Sequence, residues 1–195
     1  ADGLKTTAVK DGDDYVLNGV KQFITSGKNG DIAIVMAVTD KAAGKKGISA
    51  FWVPTNTPGY IVAGIEHKMG QHSSDTAQIF FDNVRVPKRN RIGEQGKGFT
   101  YQMIQFQEER LWGAAACLKA HEYIINETIE HTRNRKAFGQ SILDNQVVHY
   151  SLAELQTEVE ALRSLVYRAT ELYVAGKDVT QLASASSRCI SGEGM

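Results

Sequence analysis

The sequence predicts an α+β fold in which a small antiparallel β-barrel or sandwich precedes long antiparallel helices of an incomplete bundle. The first observation is the uneven distribution of turn-forming residues, because all three prolines and 13 of the 18 glycines lie before residue 99. The second is a series of about seven short apolar runs before that point, each bounded by turn signals. The third is that the remaining, proline-free part places apolar residues at three- and four-residue steps.

Composition excludes several classes of protein. The 195 residues include 22 basic and 22 acidic side chains, so neither nucleic acid nor an anionic membrane surface is expected as the main partner. No apolar run approaches the roughly 18 residues of a membrane-spanning helix. Two cysteines and five scattered histidines provide neither a disulfide framework nor a metal site. The chain starts at Ala1 without a leader, which suggests a processed product or an internal piece.

The glycine-rich part reads as a series of short strands. Residues 5–10 and 15–17 flank a turn at 11–14, and Asn18-Gly19 is a second turn signal. Further strands are predicted at residues 31–39, 48–53, 60–65, 76–81 and 84–86. This number of short strands is typical of a small barrel or sandwich, and we assign it to a domain of residues 1–92.

The second domain, residues 93–195, is predicted to be helical. Residues 93–98 (GEQGKG) form a connector and lack the spacing of a phosphate-binding loop. Helices are predicted at residues 99–132 and 145–175, with Asp178 as the N-cap of a third, short helix. Two helices of about 30 residues, each about 45 Å long, cannot bury all their apolar faces in a pair. They require further helices, from a missing part of the chain or from another subunit.

Glu109, inside the first long helix, is a candidate general base. It shares a face with Gln105 and Gly113, and a glycine one turn from a carboxylate leaves room for a ligand. The structural alternative is a solvated charged face with a close helix crossing at residues 113–116. The spacing alone favours that alternative. Trp112, nearby, is expected to be a packing residue.

The basic segment at residues 133–140 also has two interpretations. Cations near the end of a helix offset its dipole, which is a purely structural role. The functional interpretation is phosphate binding by Arg135, with Phe138 packing on a ring. The residues themselves favour neither.

Four stretches taken in order resemble the acyl-CoA dehydrogenase family. They are GVKQFITS (19–26), KMGQHSSDT (68–76), FDNVRVP (81–87) and RKAFGQ (135–140), and their order and spacing follow the family over about residues 1–185. The resemblance implies an FAD-dependent enzyme that oxidises an acyl-CoA thioester to the trans-2-enoyl-CoA. It also implies a middle β-barrel domain followed by the first half of a C-terminal four-helix bundle.

The resemblance assigns roles to particular residues. Three of them would lie along the flavin ring: Phe23, Ile24 and Thr25. Three would reach the ADP part of FAD, across a subunit interface: Arg135, Phe138 and Gln146. Two would line the acyl-CoA site: Gln107 and Arg110.

The same resemblance reverses the preference at Glu109. Removal of an α-proton needs a carboxylate base, a polarised thioester carbonyl and a flavin to accept the β-hydrogen. Glu109-Arg110-Leu111 matches members of the family that carry this base on the first bundle helix. We therefore expect Glu109 to be the base. The run from 106 to 140 looks most similar to long-chain and branched-chain members, including the citronellyl-CoA type.

The resemblance further implies an electron-transferring flavoprotein as electron acceptor and a homotetramer. It places the protein in the bacterial cytoplasm or the mitochondrial matrix. Residues 184–195 depart from the family pattern, and segments that precede and follow this chain in the family are absent. We therefore expect the chain alone to be weakly active or inactive, with uncovered apolar faces. Two alternatives remain open: an oxidase relative, acting on acyl-CoA or a nitroalkane, and a non-catalytic barrel–helix assembly module without FAD.

Overall fold

The computed structural model describes residues 3–191, which form two compact units divided between Met103 and Ile104. The first unit contains one seven-stranded sheet, in the order β5-β6-β2-β1-β3-β4-β7. Its strands are β1 (Thr7–Asp11), β2 (Asp14–Thr25), β3 (Ile32–Val38), β4 (Ile48–Pro54), β5 (Tyr60–Ile65), β6 (Thr76–Pro87) and β7 (Arg91–Ile92). All pairings are antiparallel except that of β1 with β3, which is parallel. The predicted series of short strands is therefore present as a mixed sheet, whose seventh strand, β7, is not among the predicted ones.

The turn predicted at Asn18-Gly19 is wrong, because both residues lie inside β2. The side-chain oxygen Oδ1 of Asn18 accepts a hydrogen bond from the backbone N–H of Asn83 on β6 at 2.8 Å, so the side chain links the two strands. Gly19, with φ of +142°, is needed for close packing, because a Cβ there would lie 2.7 Å from the Thr6 Cα. A bulge lies between Leu17 and Gly19 and lets the strand continue.

The strands predicted at residues 76–81 and 84–86 are one strand, β6. Asn83 has a φ of +52° within it, a local bend that does not end the strand. Pairing with β2 continues on both sides of this bend, at Phe81 opposite Gly19 and at Val84 opposite Leu17. The two long strands thus form the centre of the β5-β6-β2 half of the sheet.

The core of the first unit follows the two-residue alternation of its strands. Buried side chains on the facing strands include Tyr15, Leu17, Phe51, Val53, Ile79 and Phe81. The rings of Tyr15 and Phe51 lie 4.9 Å apart at their centroids. The Tyr15 hydroxyl donates to Gln95 Oε1 at 3.0 Å, so its polar end is satisfied at the edge of the core.

The predicted connector at residues 93–98 is fixed by hydrogen bonds within the first unit. The Glu94 backbone N–H donates to the Tyr101 hydroxyl at 3.0 Å, and that of Gly96 donates to Ser49 Oγ at 2.9 Å. Together with Gln95, these bonds bind three successive parts of the connector to neighbouring side chains. The glycine-rich composition therefore provides a tight path for the chain, which these bonds hold in place.

Lys21, on β2, is a half-buried charge that makes the stability of the first unit depend on pH. Its Nζ donates to the Met36 carbonyl oxygen at 2.7 Å, and burial lowers the pKa of Lys21 to about 8. The folded state thus binds this proton less tightly than the unfolded chain does. Stability should therefore rise as the pH increases from about 8 towards the ordinary lysine pKa of about 10.4.

We expect Lys21→Met to abolish this rise. Between pH 8 and 10, the free energy of unfolding of the wild type minus that of the variant should increase by at most about 1.4 kcal/mol per pH unit. Urea titrations at several pH values measure the difference, in which other titrating groups cancel. Lys10→Met, at an exposed position of β1, is the matched control. A difference between wild type and Lys21→Met that stays constant with pH contradicts the prediction.

The second unit contains two long helices that run antiparallel, as predicted. The elements from the connector onward are α1 (Gly98–Asn134), β8 (Lys136–Ala137), β9 (Gln140–Ser141), α2 (Gln146–Val174) and α3 (Thr180–Ser191). Ala114, Leu118 and Ile125 of α1 share one buried cluster with residues of α2. Glu122 of α1 forms an ion pair with Arg163 of α2. None of the helices in the described part of the chain is long and apolar enough to cross a membrane.

The helix pair leaves many large apolar side chains uncovered, as expected for an incomplete bundle. Tyr123, Ile124, Leu155 and Tyr167 are all exposed within the second unit. Trp112, predicted to be a packing residue, is 74% exposed, so that prediction is wrong for this chain. The apolar faces of α1 and α2 therefore exceed the area that the two helices bury against each other.

Candidate active site

Phe23 lies in a β-bulge near the end of β2. The pairing shifts from Lys21 opposite Ile79 to Ile24 opposite Ala77, so two residues of β2 face the single residue Gln78. Phe23 adopts a φ of +57°, which is unusual for a bulky side chain. Its ring is 68% exposed, whereas Ile24 packs against the core. The strained backbone thus presents a flat apolar surface to the outside, a feature that often marks a functional site.

The polar neighbours of Phe23 are connected to one another. Gln22 Nε2 donates to Glu66 Oε1 at 2.6 Å, and Gln78 Nε2 donates to Gln22 Oε1 at 2.6 Å. Thr25, the third residue predicted to lie along the flavin, is exposed and pairs with Thr76. The bulge is therefore supported by side chains from three strands or their ends.

The loop that follows Thr25 is held by Asp75 and Tyr60. The Asp75 carboxylate accepts the Lys28 backbone N–H at 2.8 Å and the Asn29 amide at 3.0 Å. The Tyr60 hydroxyl donates to the Gly27 carbonyl oxygen at 2.8 Å. Burial and the Asp75 charge raise the pKa of Tyr60, so the hydroxyl stays protonated and keeps donating. This arrangement fixes the end of the strand that carries Phe23.

Glu109 and Glu108 are adjacent on α1, but the structure uses them differently. The Glu108 carboxylate accepts a hydrogen bond from the Tyr173 hydroxyl of α2, which raises the pKa of Tyr173. Glu109 is exposed and accepts a hydrogen bond from Gln105 Nε2 of its own helix at 3.2 Å. One carboxylate therefore connects two helices, while the other remains available to a ligand.

The face of α1 that carries Glu109 is open at Gly113. A Cβ placed at Gly113, one turn further along α1, meets no heavy atom within 4 Å. The close helix packing offered as the structural alternative for residues 113–116 is present at Ala114, which is fully buried in the cluster shared with α2, while Gly113 itself stays open. A carboxylate beside an unfilled volume can act as a proton acceptor once a ligand covers it and excludes water.

The two residues predicted to line the acyl-CoA site flank the glutamates. The Arg110 guanidinium lies 5.8 Å from the centre of the Phe106 ring on the same helix. Gln107 Nε2 donates to Thr180 Oγ1 of α3 at 2.6 Å. Gln107, Glu109 and Arg110 thus occupy one short stretch of α1, and Gln107 also joins that stretch to α3.

The segment between α1 and α2 is a hairpin that carries Phe138 at its tip. Ala137 pairs with Gln140, and the two turn residues, Phe138 and Gly139, have φ values of +54° and +86°. These signs match a type I′ turn, in which a phenylalanine is unusual. The Phe138 side chain is fully exposed. The hairpin therefore projects an aromatic ring away from the helices.

Arg135 and Gln146 lie at the two ends of this hairpin segment. Arg135 precedes β8, and its carbonyl oxygen accepts the Ile142 backbone N–H at 2.9 Å. Gln146 is the first residue of α2, and both side chains are exposed. The three residues predicted to reach the ADP part of FAD are thus gathered in one segment, which follows the last residue of α1.

Sequence reasoning missed the partners that organise the Glu109 stretch. Tyr173 lies 65 residues from Glu108, and Thr180 lies 73 residues from Gln107. Neither spacing carries a local signal. The sequence predicts only Asp178, as a helix cap, and its carboxylate accepts the Thr180 backbone N–H at 2.9 Å. No group of three or more possible metal ligands occurs among the residues that the structure describes.

Comparison with known proteins identifies the family. Residues 1–84 match the model of the acyl-CoA dehydrogenase middle domain, and residues 96–190 match that of the acyl-CoA dehydrogenase C-terminal domain. The chain belongs to the acyl-CoA dehydrogenase family. The resemblance inferred from the four stretches and the predicted α+β fold class are both confirmed.

The chain is similar to proteins that act on several acyl-CoA thioesters. It is 40% identical over 181 residues to the cyclohexane-1-carbonyl-CoA dehydrogenase of Geobacter metallireducens, which covers 93% of this chain and 47% of that protein. It is also 40% identical over 184 residues to the caffeyl-CoA reductase–Etf complex subunit CarC of Acetobacterium woodii, covering 94% of this chain and 48% of that protein. The chain therefore spans about half the length of the curated relatives it matches.

Solved structures agree with this assignment. The butyryl-CoA dehydrogenase of Megasphaera elsdenii superposes with a TM-score of 0.91 at 39% identity, over 97% of this chain and 50% of that one. A structure described as an FAD-dependent dehydrogenase gives a TM-score of 0.94 at 34% identity, over 98% and 51%. FAD, the cofactor predicted from the sequence, is thus the cofactor of the family.

Proposed function

We propose that this chain is part of an FAD-dependent acyl-CoA dehydrogenase that converts an acyl-CoA thioester to the trans-2-enoyl-CoA. The observation that carries the proposal is the difference between the two adjacent glutamates. Glu108 is engaged by Tyr173, whereas Glu109 lies beside the open volume at Gly113. A carboxylate in that position is suited to accept the α-proton of a bound thioester.

The residues present fit FAD. Phe23 offers an exposed ring at a strained bulge, and Phe138 offers a second exposed ring at the tip of a hairpin. Flat apolar surfaces of this kind suit the two ring systems of the cofactor, and the exposed Arg135 guanidinium suits its phosphates. Bound FAD supplies the acceptor for the β-hydrogen, which no side chain can provide.

The remaining roles fall to side chains of the chain itself. Glu109 takes the α-proton once the bound substrate excludes water from its carboxylate. Gln107 and Arg110, on the same stretch of α1, orient the acyl-CoA. Ile24 and Thr25 keep the Phe23 bulge in register through the core and the β6 pairing. We assign the barrel role to residues 1–92 and the helical role to residues 93–195.

The length of α1 supports a homo-oligomer. Glu109 and Arg135 are separated by 26 residues of sequence along a nearly continuous helix, or about 39 Å. This distance exceeds the length of an extended FAD molecule. The Arg135 hairpin therefore serves a cofactor other than the one that works with Glu109 of the same chain, as in a tetramer with shared sites.

The full-length protein with bound FAD provides the test. We expect acyl-CoA to bleach the flavin absorbance without oxygen, with formation of the enoyl-CoA detected by mass spectrometry. An electron-transferring flavoprotein should reoxidise the flavin, whereas rapid oxygen consumption would indicate the oxidase alternative. A panel of straight-chain, branched and cyclic thioesters defines the acyl class, which we expect to be long or branched. Protein that neither binds FAD nor reacts with any thioester supports the non-catalytic alternative.

A further inference from the structure

Gln107, Thr180 and Asp178 form a directional chain of hydrogen bonds between α1 and the start of α3. Gln107 Nε2 donates to Thr180 Oγ1 at 2.6 Å, and the Thr180 hydroxyl donates to Asp178 Oδ1 at 2.6 Å. The Thr180 backbone N–H donates to the same carboxylate oxygen at 2.9 Å. All three residues lie in the second unit, so the chain of bonds is complete there.

The order of donors and acceptors in this chain is fixed by chemistry. An ionised carboxylate only accepts, so the single hydroxyl proton of Thr180 goes to Asp178. Both bonds to Thr180 lower the pKa of Asp178, which keeps it ionised. The Thr180 oxygen can then only accept from Gln107, and this requirement selects the amide orientation that places Nε2 towards Thr180. The Gln107 carbonyl oxygen Oε1 is left as an acceptor for another group.

Other contacts hold the same parts of α1 and the α2–α3 turn together. The Glu108 carboxylate binds the Tyr173 hydroxyl at the end of α2. Leu111 packs in a buried cluster with Ala169 and Val179. The hydrogen-bond chain is thus flanked by an apolar cluster and a second polar link, which limit its freedom to rearrange.

We propose that Asp178 and Thr180 are positioning residues that fix the polarity of Gln107, so that its carbonyl oxygen faces an N–H or O–H donor of the acyl-CoA. This inference rests on the proposed function, in which Gln107 lines the acyl-CoA site. The pantetheine arm of CoA carries amide N–H and hydroxyl donors, whereas a saturated hydrocarbon acyl chain carries none. The acceptor oxygen of Gln107 therefore has a partner in the pantetheine arm but none in a hydrocarbon acyl group.

Asp178→Asn in the full-length FAD enzyme distinguishes an effect on the orientation of the Gln107 amide from an effect on protein stability. Asparagine removes the charge that fixes the direction of the chain, because its amide N–H can donate to the Thr180 hydroxyl, which then donates to Gln107 Oε1 and turns Nε2 towards the ligand. This reversal gives up one bond, from the Thr180 backbone N–H to Oδ1, so the thermal midpoint should fall only slightly. The KM for acyl-CoA should rise about tenfold while kcat stays within about twofold, as expected for one lost polar contact. A lower midpoint with an unchanged KM overturns the proposal in favour of a structural role.

Further variants test whether Asp178 acts on Gln107 through the Thr180 hydroxyl. Thr180→Val should raise the KM to a similar extent, and Thr180→Ser, which keeps the hydroxyl, should restore it. Thr157→Val is the matched control, because the Thr157 hydroxyl bonds only within α2, to the Ala153 carbonyl oxygen at 2.9 Å. It should leave the KM unchanged. If Thr180→Val leaves the KM unchanged as well, the proposal is overturned.

A double-mutant cycle distinguishes failure of this inference from failure of the proposed function. Gln107→Leu should raise the KM, and adding Asp178→Asn should have no further effect, because both act through one amide. If Gln107→Leu raises the KM but Asp178→Asn does not, the positioning role is overturned and the dehydrogenase proposal stands. If the wild-type flavin is not reduced by any acyl-CoA, the proposed function fails first.

Discussion

Glu109→Gln in the full-length FAD enzyme should lower the rate of flavin reduction by acyl-CoA by about a thousandfold, within the range measured for loss of a general base. Glutamine keeps the size and the hydrogen-bonding capacity of the side chain but cannot take the α-proton. Gln105 can still approach the substituted residue, so the helix should be undisturbed. Anaerobic stopped-flow measurement of flavin absorbance after mixing with substrate reports the rate directly. Binding of FAD and of the substrate should persist.

Glu108→Gln is the matched control, because it makes the same chemical change one residue away. Its amide oxygen can still accept from Tyr173, so we expect flavin reduction to stay within severalfold of the wild type. Equal losses in the two variants would indicate a general effect of charge on α1. A Glu109→Gln enzyme with nearly wild-type reduction would exclude Glu109 as the base and leave the family assignment intact.

Phe51→Ala should lower the free energy of unfolding of the first unit by about 4 kcal/mol, the usual cost of removing a buried phenylalanine side chain. Phe51 is 0% exposed and lies against the Tyr15 ring, so truncation leaves a cavity at the centre of the sheet. Urea unfolding followed by circular dichroism measures the change. Because a loss of this size approaches the whole stability of a small domain, Phe51→Leu provides a milder second variant, with an expected loss of about 1 kcal/mol.

Ile34→Ala, on the neighbouring strand β3, is the control for Phe51. Ile34 is also apolar but is 60% exposed, so its truncation should cost less than about 1 kcal/mol. Similar losses for Phe51→Ala and Ile34→Ala would contradict the assignment of Phe51 to the core and of Ile34 to the surface of the sheet. The denaturant slope should be the same in both variants, because neither changes the surface exposed on unfolding by much.

The helical half was predictable because helices are local. The predicted limits of the long helices, 99–132 and 145–175, lie within two residues of α1 and α2. Their apolar spacing, their flanking glycines and the Asp178 cap are all encoded within a few residues. The exposure of Trp112 was not predictable, because the spacing of apolar residues along α1 does not show which of them pack against another helix.

The β half was less predictable because pairing overrides local turn signals. Asn18-Gly19 has the composition of a hairpin turn, yet it lies inside β2. There the Asn18 side chain accepts a hydrogen bond from Asn83, and Gly19 packs closely against the backbone of Thr6. Asn83 likewise bends β6 without ending it. In each case a residue that favours a turn in a short peptide instead forms a bulge or a bend, across which the strand keeps its pairing with the neighbouring strand.

The sequence by itself determined the two-part organisation, the limits of the long helices and the chemical types of the site residues, because these follow from composition, periodicity and short motifs. Only the tertiary structure decided how those residues are used. Pairing with β6 creates the bulge that exposes Phe23. Tyr173 engages Glu108 and leaves Glu109 available, and Asp178 and Thr180 orient Gln107. Each of these results from a contact that long-range packing forms, and no local spacing encodes such contacts.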